Sequence, residues 1–481
     1  MKILMLNPPF MDKYSKSSRS PAVTKSGTIY FPLWISYAAG VLDKAGYEIK
    51  IIDAPAKCLT KEETLKQIAD FHPDLVVIDT STPSINSDLS FAKSIKNNLL
   101  NVKICLVGTH ASACVNEILP ANGSIDFIAR HEYDFTLPEL AEKMNDNRKL
   151  KEVKGISYLE GGMVVNNPDR EYIHDLDSLP FVSEVYKKYL DIKDYFYAHV
   201  SYPTVSIFSS RGCPSKCFYC MYSQVMFGKN YRKRTAKNLF DECVYITKEF
   251  PEVKEILIDD DNFAVDQKNV QEFCKMMIEN KIKLKWVVQC RVTLSYDTMV
   301  LMKKAGCRLV VVGFESGSQK ILDGMNKGIT LEQSLKFNSD AKKSGMRVHG
   351  CFMVGNPGET KETMNETLEF SKKLRLDTVQ YFPLIVYPGT EAYKWAEDNN
   401  YITAKSYDEW ITSDGMHNCV ISTPEVSSKE LVDFCNYARK KFYLRPAYMF
   451  MKAGECLTNK DDFVRTLKSF KIFKKYLLKK D

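Results

Sequence analysis

Short, nearly continuous apolar runs alternate with longer stretches whose apolar residues recur every three to four positions through the first ~145 residues. Continuous runs suit strands buried on both faces, and the periodic stretches suit helices with one face buried. Strands are expected at Lys2–Leu6, Glu48–Ile52, Leu75–Asp79, Lys103–Val107 and Asp126–Ala129, with helices between them such as Pro32–Ala45 and Lys61–Phe71. Gly46 stands where a helix end favours a left-handed residue. This alternation builds α/β structure. Five strands with four crossovers predict a flavodoxin-like doubly wound parallel sheet, its ligand crevice at the carboxyl ends of the strands.

Residues 150–200 break the rhythm. Ile156–Leu159, Glu160-Gly161-Gly162 and Met163–Val165 predict a hairpin, and Asp175–Pro180 a linker. From Thr204 the alternation resumes, with strands expected at Val205–Phe208, Glu255–Asp259, Trp286–Gln289, Arg308–Val312, Arg347–Val354 and Thr378–Leu384. Ala236–Phe250, Val270–Asn280, Asp297–Ala305 and Leu331–Ser344 are among the helices between them. Six such units predict a (β/α)6 partial TIM barrel with its functional groups on loops at the strand carboxyl ends. The last ~60 residues are expected to be helical and basic.

Composition narrows the class. The 481 residues are 44% hydrophobic and 26% charged, which suits two or three globular domains and excludes a disordered or collagen-like chain. Lys and Arg number 67 against 60 Asp and Glu, too small an excess to suggest a nucleic-acid binder. No run approaches the ~20 apolar residues of a membrane span. The opening Met1–Leu6 is too short for the apolar core of a signal peptide. With 14 cysteines and no export signal, a cytoplasmic protein with reduced, metal-competent thiols is expected.

The sharpest motif is Cys213-Pro214-Ser215-Lys216-Cys217-Phe218-Tyr219-Cys220, directly after an expected strand. Three thiols so close, on a loop turned by Gly212 and Pro214, suit zinc or an iron–sulfur cluster. Structural zinc wants four ligands, commonly two C-x-x-C pairs, and no second pair stands in the sequence. The C-x3-C-x2-C spacing, with Tyr219 before the third cysteine, resembles the signature of radical S-adenosylmethionine (SAM) enzymes. That resemblance implies that Cys213, Cys217 and Cys220 hold a 4Fe–4S cluster, with Tyr219 among the cofactor-binding residues. SAM would chelate the fourth iron and be cleaved to methionine and a 5′-deoxyadenosyl radical.

Further positions follow from the same resemblance. Gly313-Phe314-Glu315-Ser316 is similar to the family's glycine–glutamate element that receives the SAM ammonium, with Phe314 in place of the commoner second glycine. Gly355-Asn356-Pro357-Gly358 looks like the fifth-strand turn near adenine, or a plain turn and helix start. Arg291 is expected at the SAM carboxylate or a phosphate, or in a salt bridge to a neighbouring loop. Asp259-Asp260-Asp261-Asn262 would meet SAM hydroxyls or substrate, or serve as surface residues and helix caps. No catalytic residue is singled out. The remaining cysteines are expected to be small buried hydrophobes.

After the first strand stands Asn7-Pro8-Pro9-Phe10, without the glycines of a dinucleotide fingerprint, which argues against NAD or FAD. An α/β sheet ahead of a radical SAM barrel resembles the cobalamin-binding members of that family, where N-P-P recurs after strand one. The resemblance implies a cobalamin-binding Rossmann-like domain over 1–148, a hairpin and linker over 149–199, a radical SAM partial barrel over 200–420 and a basic helical segment over 421–481. Asn7, Thr80, Ser81, Thr82, Gly108 and Thr109 are then expected along the cobalamin nucleotide tail, or else in ordinary loop contacts of a domain that has lost its cofactor. The D-x-H-x-x-G signature is absent, so a base-off cobalamin without axial histidine is expected, His110 and His131 included.

Ser81-Thr82-Pro83-Ser84, Leu6-Asn7-Pro8-Pro9 and Asp134-Phe135-Thr136 look most like a hopanoid-biosynthesis subgroup, with a more distant likeness to anaerobic magnesium-protoporphyrin ester cyclases. These likenesses imply methylation, or rearrangement or cyclisation, at an unactivated carbon of a small-molecule or lipid-linked substrate. An electron donor such as flavodoxin or ferredoxin is implied as partner. A cobalamin-free radical SAM enzyme and a zinc-bound scaffold are the competing readings. Finally, Phe463, Leu467, Phe470, Phe473 and Leu477 recur at helical spacing opposite lysines. Such a stripe packs on the barrel or rests on anionic lipid.

Overall fold

The computed structural model describes residues 1–458, and the stripe from Phe463 to Leu477 lies outside the described residues. The chain folds as mixed α/β structure around two sheets built mainly of parallel strands. In the first, β1 (Lys2–Asn7), β2 (Glu48–Asp53), β3 (Leu75–Asp79), β4 (Lys103–Val107) and β5 (Phe127–Ala129) run parallel in the order β2-β1-β3-β4-β5. This is a doubly wound order with its switch point between β1 and β3. Alternate side chains enter different cores. Leu4, Leu6, Val76, Ile78, Ile104 and Leu106 pack on one face. Ile3, Met5, Leu75, Val77, Cys105 and Val107 pack on the other, in a cluster continuous with the core of the second sheet. Burial on both sides is why these strands read as unbroken apolar runs.

The hairpin β6 (Ile156–Glu160) and β7 (Met163–Asn166) does not stand apart as the broken rhythm suggested. It extends the first sheet, with β6 antiparallel to β5 and Phe127 opposite Tyr158. Ile156 and Tyr158 are buried there, which explains the docking.

Six parallel strands form the second sheet, in chain order: β8 (Thr204–Ile207), β11 (Glu255–Ile258), β12 (Lys285–Cys290), β13 (Cys307–Glu315), β14 (Arg347–Val354) and β15 (Thr378–Pro383). Between β8 and β11 lies a two-stranded antiparallel ribbon, β9 (Ser210–Arg211) with β10 (Arg232–Lys233). Each crossover helix starts at a fixed point because Thr235, Asp266, Ser295, Thr330 and Thr360 cap its first turn with a side-chain oxygen. β13 outruns the expected strand end at Val312. Phe314 is fully buried against Phe337 and Phe352, with ring centroids 6.1 and 5.8 Å away, and pins the extension. Among the described residues no helix is long and apolar enough to cross a membrane.

Candidate functional site

The carboxyl end of β8 feeds the cysteine loop, and the β9–β10 ribbon closes it at its base. Asp260, just past β11, accepts hydrogen bonds from the backbone N–H groups of Ser209 and Ser210 at 2.7 and 3.1 Å and from both hydroxyls. Burial pushes its carboxyl up to about 6. Gly212 has φ +79°, and a Cβ there would collide with the Asn230 carbonyl, so only glycine makes this turn. Arg211 is buried and clamps both Asp134 oxygens at 2.7 and 3.0 Å, tying the loop to the segment after β5.

Cys213 and Cys217 are buried and Cys220 is half-buried, all three as free thiols. Burial raises the Cys220 thiol to about 11, with the Asp261 charge adding to it. Arg291, at the end of β12, points a guanidinium nitrogen at Cys217 Sγ from 3.6 Å and also donates to the Lys327 carbonyl. Arg291 thus meets a neighbouring loop through a backbone carbonyl rather than through the salt bridge that was one expectation. Gln224 Nε2 donates to the Cys217 and Phe218 carbonyls at 3.1 and 2.9 Å, which fixes the loop's path. Among the described residues no three His, Cys, Asp or Glu side chains are gathered closely enough to hold a single metal ion.

β13 ends in a bulge that carries Glu315 at φ +63°. A non-glycine residue in this region is strained by about 1 kcal/mol or more and needs surrounding contacts to hold it. Here Lys327 Nζ donates to Glu315 Oε1 at 2.6 Å and Tyr219 OH donates to the same oxygen at 3.1 Å. Burial, then the Glu315 charge, pushes the Tyr219 phenol far above its usual range. Gly313 makes room for the carboxylate, since a Cβ there would collide with Glu315 Oε1. The second oxygen, Oε2, is buried and has no partner. Asn262 Oδ1 and Asn356 Oδ1, beyond the ends of β11 and β14, are also buried and unpartnered.

The expected residues therefore divide. Tyr219, Gly313, Glu315 and Arg291 lie with the cysteine loop. Ser316 instead shares a hydrogen bond with Thr367 at 3.0 Å and accepts one from the Ser318 N–H at 3.1 Å. Gly355 donates its N–H to Glu359 at 3.1 Å, as a turn entering a helix does. Asp259 and Asp261 bind Arg19 at 2.6 and 3.2 Å. Lys327 was not foreseen; its only sequence signal is a lone lysine before Gly328.

The carboxyl edge of the first sheet is finished differently. Thr80 Oγ1 donates to the Val107 carbonyl at 2.8 Å. Ser81 Oγ bonds to Tyr14 OH at 3.0 Å and Ser84 Oγ at 2.8 Å. Thr82 Oγ1 meets His110 Nδ1 at 3.1 Å. Gly108 brings its loop against the Thr80 carbonyl, and Thr109 opens the short helix that follows. Residues 10–31, between β1 and the first helix, lie across this edge as a strap. Its Lys16 is completely buried and donates to the Asp79 carbonyl at 2.9 Å and to Asp88 Oδ1 at 2.6 Å. Burial raises the Asp79 carboxyl to about 7 and that of Asp88 to about 6, against the pull of the Lys16 charge. Asn7 Oδ1, Ser17 Oγ and Tyr133 OH are buried there without a partner. His110 is buried, which lowers its ring to about 3, and His131 Nδ1 lies 2.6 Å from the Val225 carbonyl.

Three residues beyond Lys16, Arg19 reaches the other sheet's edge, donating to Asp259 and Asp261. Tyr222 OH donates to the Ser17 carbonyl at 3.0 Å, so the helical turn after the cysteines also holds the strap. Beside these two edges, a cavity of about 610 Å³ lined by Glu117, Arg130, His131 and Asp169 contains none of the expected site residues.

Residues 207–371 match the model of the radical SAM superfamily, and residues 19–141 that of the B12 binding domain. The chain is 31% identical over 447 residues to an uncharacterized methyltransferase of Pyrococcus horikoshii, covering 93% of each. It is 27% identical over 428 residues to the anaerobic magnesium-protoporphyrin IX monomethyl ester cyclase of Cereibacter sphaeroides, covering 86% of this chain and 67% of that one. Among solved structures, the radical SAM methyltransferase TsrM from Kitasatospora setae, with cobalamin and a [4Fe-4S] cluster bound, superposes with a TM-score of 0.71 at 16% identity, covering 93% and 89% of the two chains.

Proposed function

Because the chain belongs to the cobalamin-binding radical SAM enzymes, we propose that it transfers a methyl group to an unactivated carbon of a small-molecule or lipid-linked substrate. The enzyme uses a 4Fe–4S cluster, SAM and cobalamin. When bound, the cluster and SAM supply hydrogen-abstracting radical chemistry, and cobalamin supplies a carrier for the methyl group. We read the six strands of the second sheet as a partial barrel, and residues 1–148 and 200–420 as the cobalamin and radical SAM units.

The observation that carries the reading is the Glu315 carboxylate beside the cysteine loop, with one oxygen held by Lys327 and Tyr219 and the other free. In a dry site the free oxygen suits an ammonium group, since charge-assisted hydrogen bonds are the strong ones. Lys327 and Tyr219 fix the carboxylate's orientation, and Gly313 leaves it space. Cys213, Cys217 and Cys220 are the three anchors for the cluster. The Arg291 guanidinium, 3.6 Å from the Cys217 sulfur, places a positive charge beside the cysteine loop. At the first sheet, the free polar atoms of Asn7, Ser17 and Tyr133 suit the polar periphery of a cobalamin, whereas Thr80, Ser81 and Thr82 already have partners. A flavodoxin or ferredoxin is the natural class of electron donor. Contact with a membrane surface through the basic C-terminal segment completes the reading.

Anaerobic reconstitution with iron, sulfide and cobalamin, followed by analysis of SAM products, tests the function. S-adenosylhomocysteine together with 5′-deoxyadenosine is expected. Deoxyadenosine alone would favour ring formation instead, a second reading supported by the 27% likeness to the ester cyclase.

A further inference from the structure

The last described helix, Pro446–Thr458, exposes more large apolar side chains than an ordinary surface helix. Its charged residues face the protein. Lys452 pairs with Glu455 at 2.8 Å and lies 3.8 Å from Asp377, with only 16% of its side chain exposed. Tyr448 is buried and donates to the Asp377 carbonyl at 2.7 Å. Several of its apolar residues face outward: Met449 is 55%, Phe450 78% and Leu457 89% exposed, alongside exposed Ala447 and Ala453, while Met451 packs against the core. Phe450 and Leu457 are two turns apart and share a face. Tyr437 and Leu444 on the preceding segment are also exposed, with Lys441 lying 5.4 Å from the Tyr437 ring centroid.

We propose that this helix face is a docking surface for an anionic phospholipid bilayer. The chain beyond it decides the occupant. Residues 459–481 contain eight Lys or Arg against three Asp, in a chain whose whole excess is +7. An apolar helix face followed at once by a basic segment joins insertion to attraction by acidic headgroups. A second copy of the chain on the same face would bring two such segments together, and like charges oppose that arrangement. The inference extends the membrane contact proposed above to a described helix and does not depend on the radical chemistry. Asp377 immediately precedes β15, so the patch lies at the amino end of that strand, and docking leaves the carboxyl ends and the cysteine loop uncovered.

Co-sedimentation of the full-length protein with vesicles is the test, using phosphatidylcholine alone or mixed with phosphatidylserine. Binding is expected only to the mixed vesicles, falling as salt rises. Phe450→Glu with Leu457→Glu should weaken it at least about tenfold without changing the thermal midpoint, because neither side chain supports the core. Equal binding to both vesicle types would overturn the proposal. So would loss of binding on neutralising the lysines after residue 460 with no effect of the two glutamates, which would move the anchor to the tail alone. A dimer in sedimentation velocity that the glutamates dissolve would reassign the face to a second copy.

Discussion

At the end of β13 a buried carboxylate keeps one oxygen without a partner, and Asn262 and Asn356, beyond the ends of β11 and β14, each keep a free acceptor. At the end of β3, by contrast, Thr80, Ser81 and Thr82 each bond to the chain itself, and Lys16 is locked onto Asp88. Both edges carry short polar loops at the carboxyl ends of parallel strands, the usual position of a ligand crevice. Their hydrogen-bond accounting differs. Each unpartnered buried group costs about 1–3 kcal/mol. Three such atoms stand at each edge, so the difference is one of kind. Only the second sheet's set includes a carboxylate oxygen, which suits a cation, whereas the first sheet's are neutral amide and hydroxyl groups.

The cysteine loop gives the sharpest break. Replacing Cys213, Cys217 or Cys220 by alanine should abolish 4Fe–4S absorbance and SAM cleavage, because the proposed function makes each one of three anchors. A triple variant that still cleaves SAM would refute the assignment.

At the first edge, Lys16→Met leaves Asp79 and Asp88 buried without their cation, a loss of about 3–5 kcal/mol for breaking a buried pair. The sign with pH follows from their carboxyls, raised to about 7 and about 6 by burial. A carboxyl raised above its unfolded value binds its proton more tightly when folded, so its stabilising effect is lost as pH rises through that range. Removing Lys16 raises both carboxyls further. The variant should therefore sit closest to wild type near pH 5 and fall furthest behind at pH 8 in thermal denaturation.

Glu315→Gln sharpens the comparison at the other edge. It removes the proposed ammonium acceptor but also strands Lys327, so both SAM affinity and stability should fall. Adding Lys327→Met removes the stranded charge, and the double variant should recover stability but not SAM binding. Recovery of both, measured by calorimetry and melting, would place the SAM ammonium elsewhere. Gly313→Ala should have a smaller effect, about tenfold in SAM affinity, by displacing the carboxylate rather than deleting it; that corresponds to about 1.4 kcal/mol.

The smallest effect expected is none. His110→Ala and His131→Ala should leave the bound cobalamin spectrum base-off and unaltered, since His110 is engaged by Thr82 and His131 faces the Val225 carbonyl. A shift in either spectrum would mark an axial histidine.

Most strands were legible because burial on both faces leaves unbroken apolar runs, and the cysteine trio because its spacing is local. The extension of β13 was not, since it depends on Phe314 packing against Phe337 and Phe352 from other elements. The partners that complete the two edges were equally hidden. Lys16 lies 72 residues from Asp88, and Arg19 240 residues from Asp259, distances over which no sequence pattern links an ion pair. For Thr80, Ser81 and Thr82 the sequence left a cofactor tail and ordinary loop contacts both open, because it does not show that Val107, Tyr14 and His110 come within reach of them.

Lys16 and Arg19 stand three positions apart on one strap, one fastened to each sheet. For anyone recombining parts of such proteins, the first sheet is therefore not a detachable cassette. A chimera that joins this cobalamin unit to another catalytic unit inherits a strap whose Arg19 expects Asp259 and Asp261. Unless those acidic positions travel with it, the graft keeps both sheets and loses one of the fasteners between them, as it also would without Arg211, the partner of Asp134.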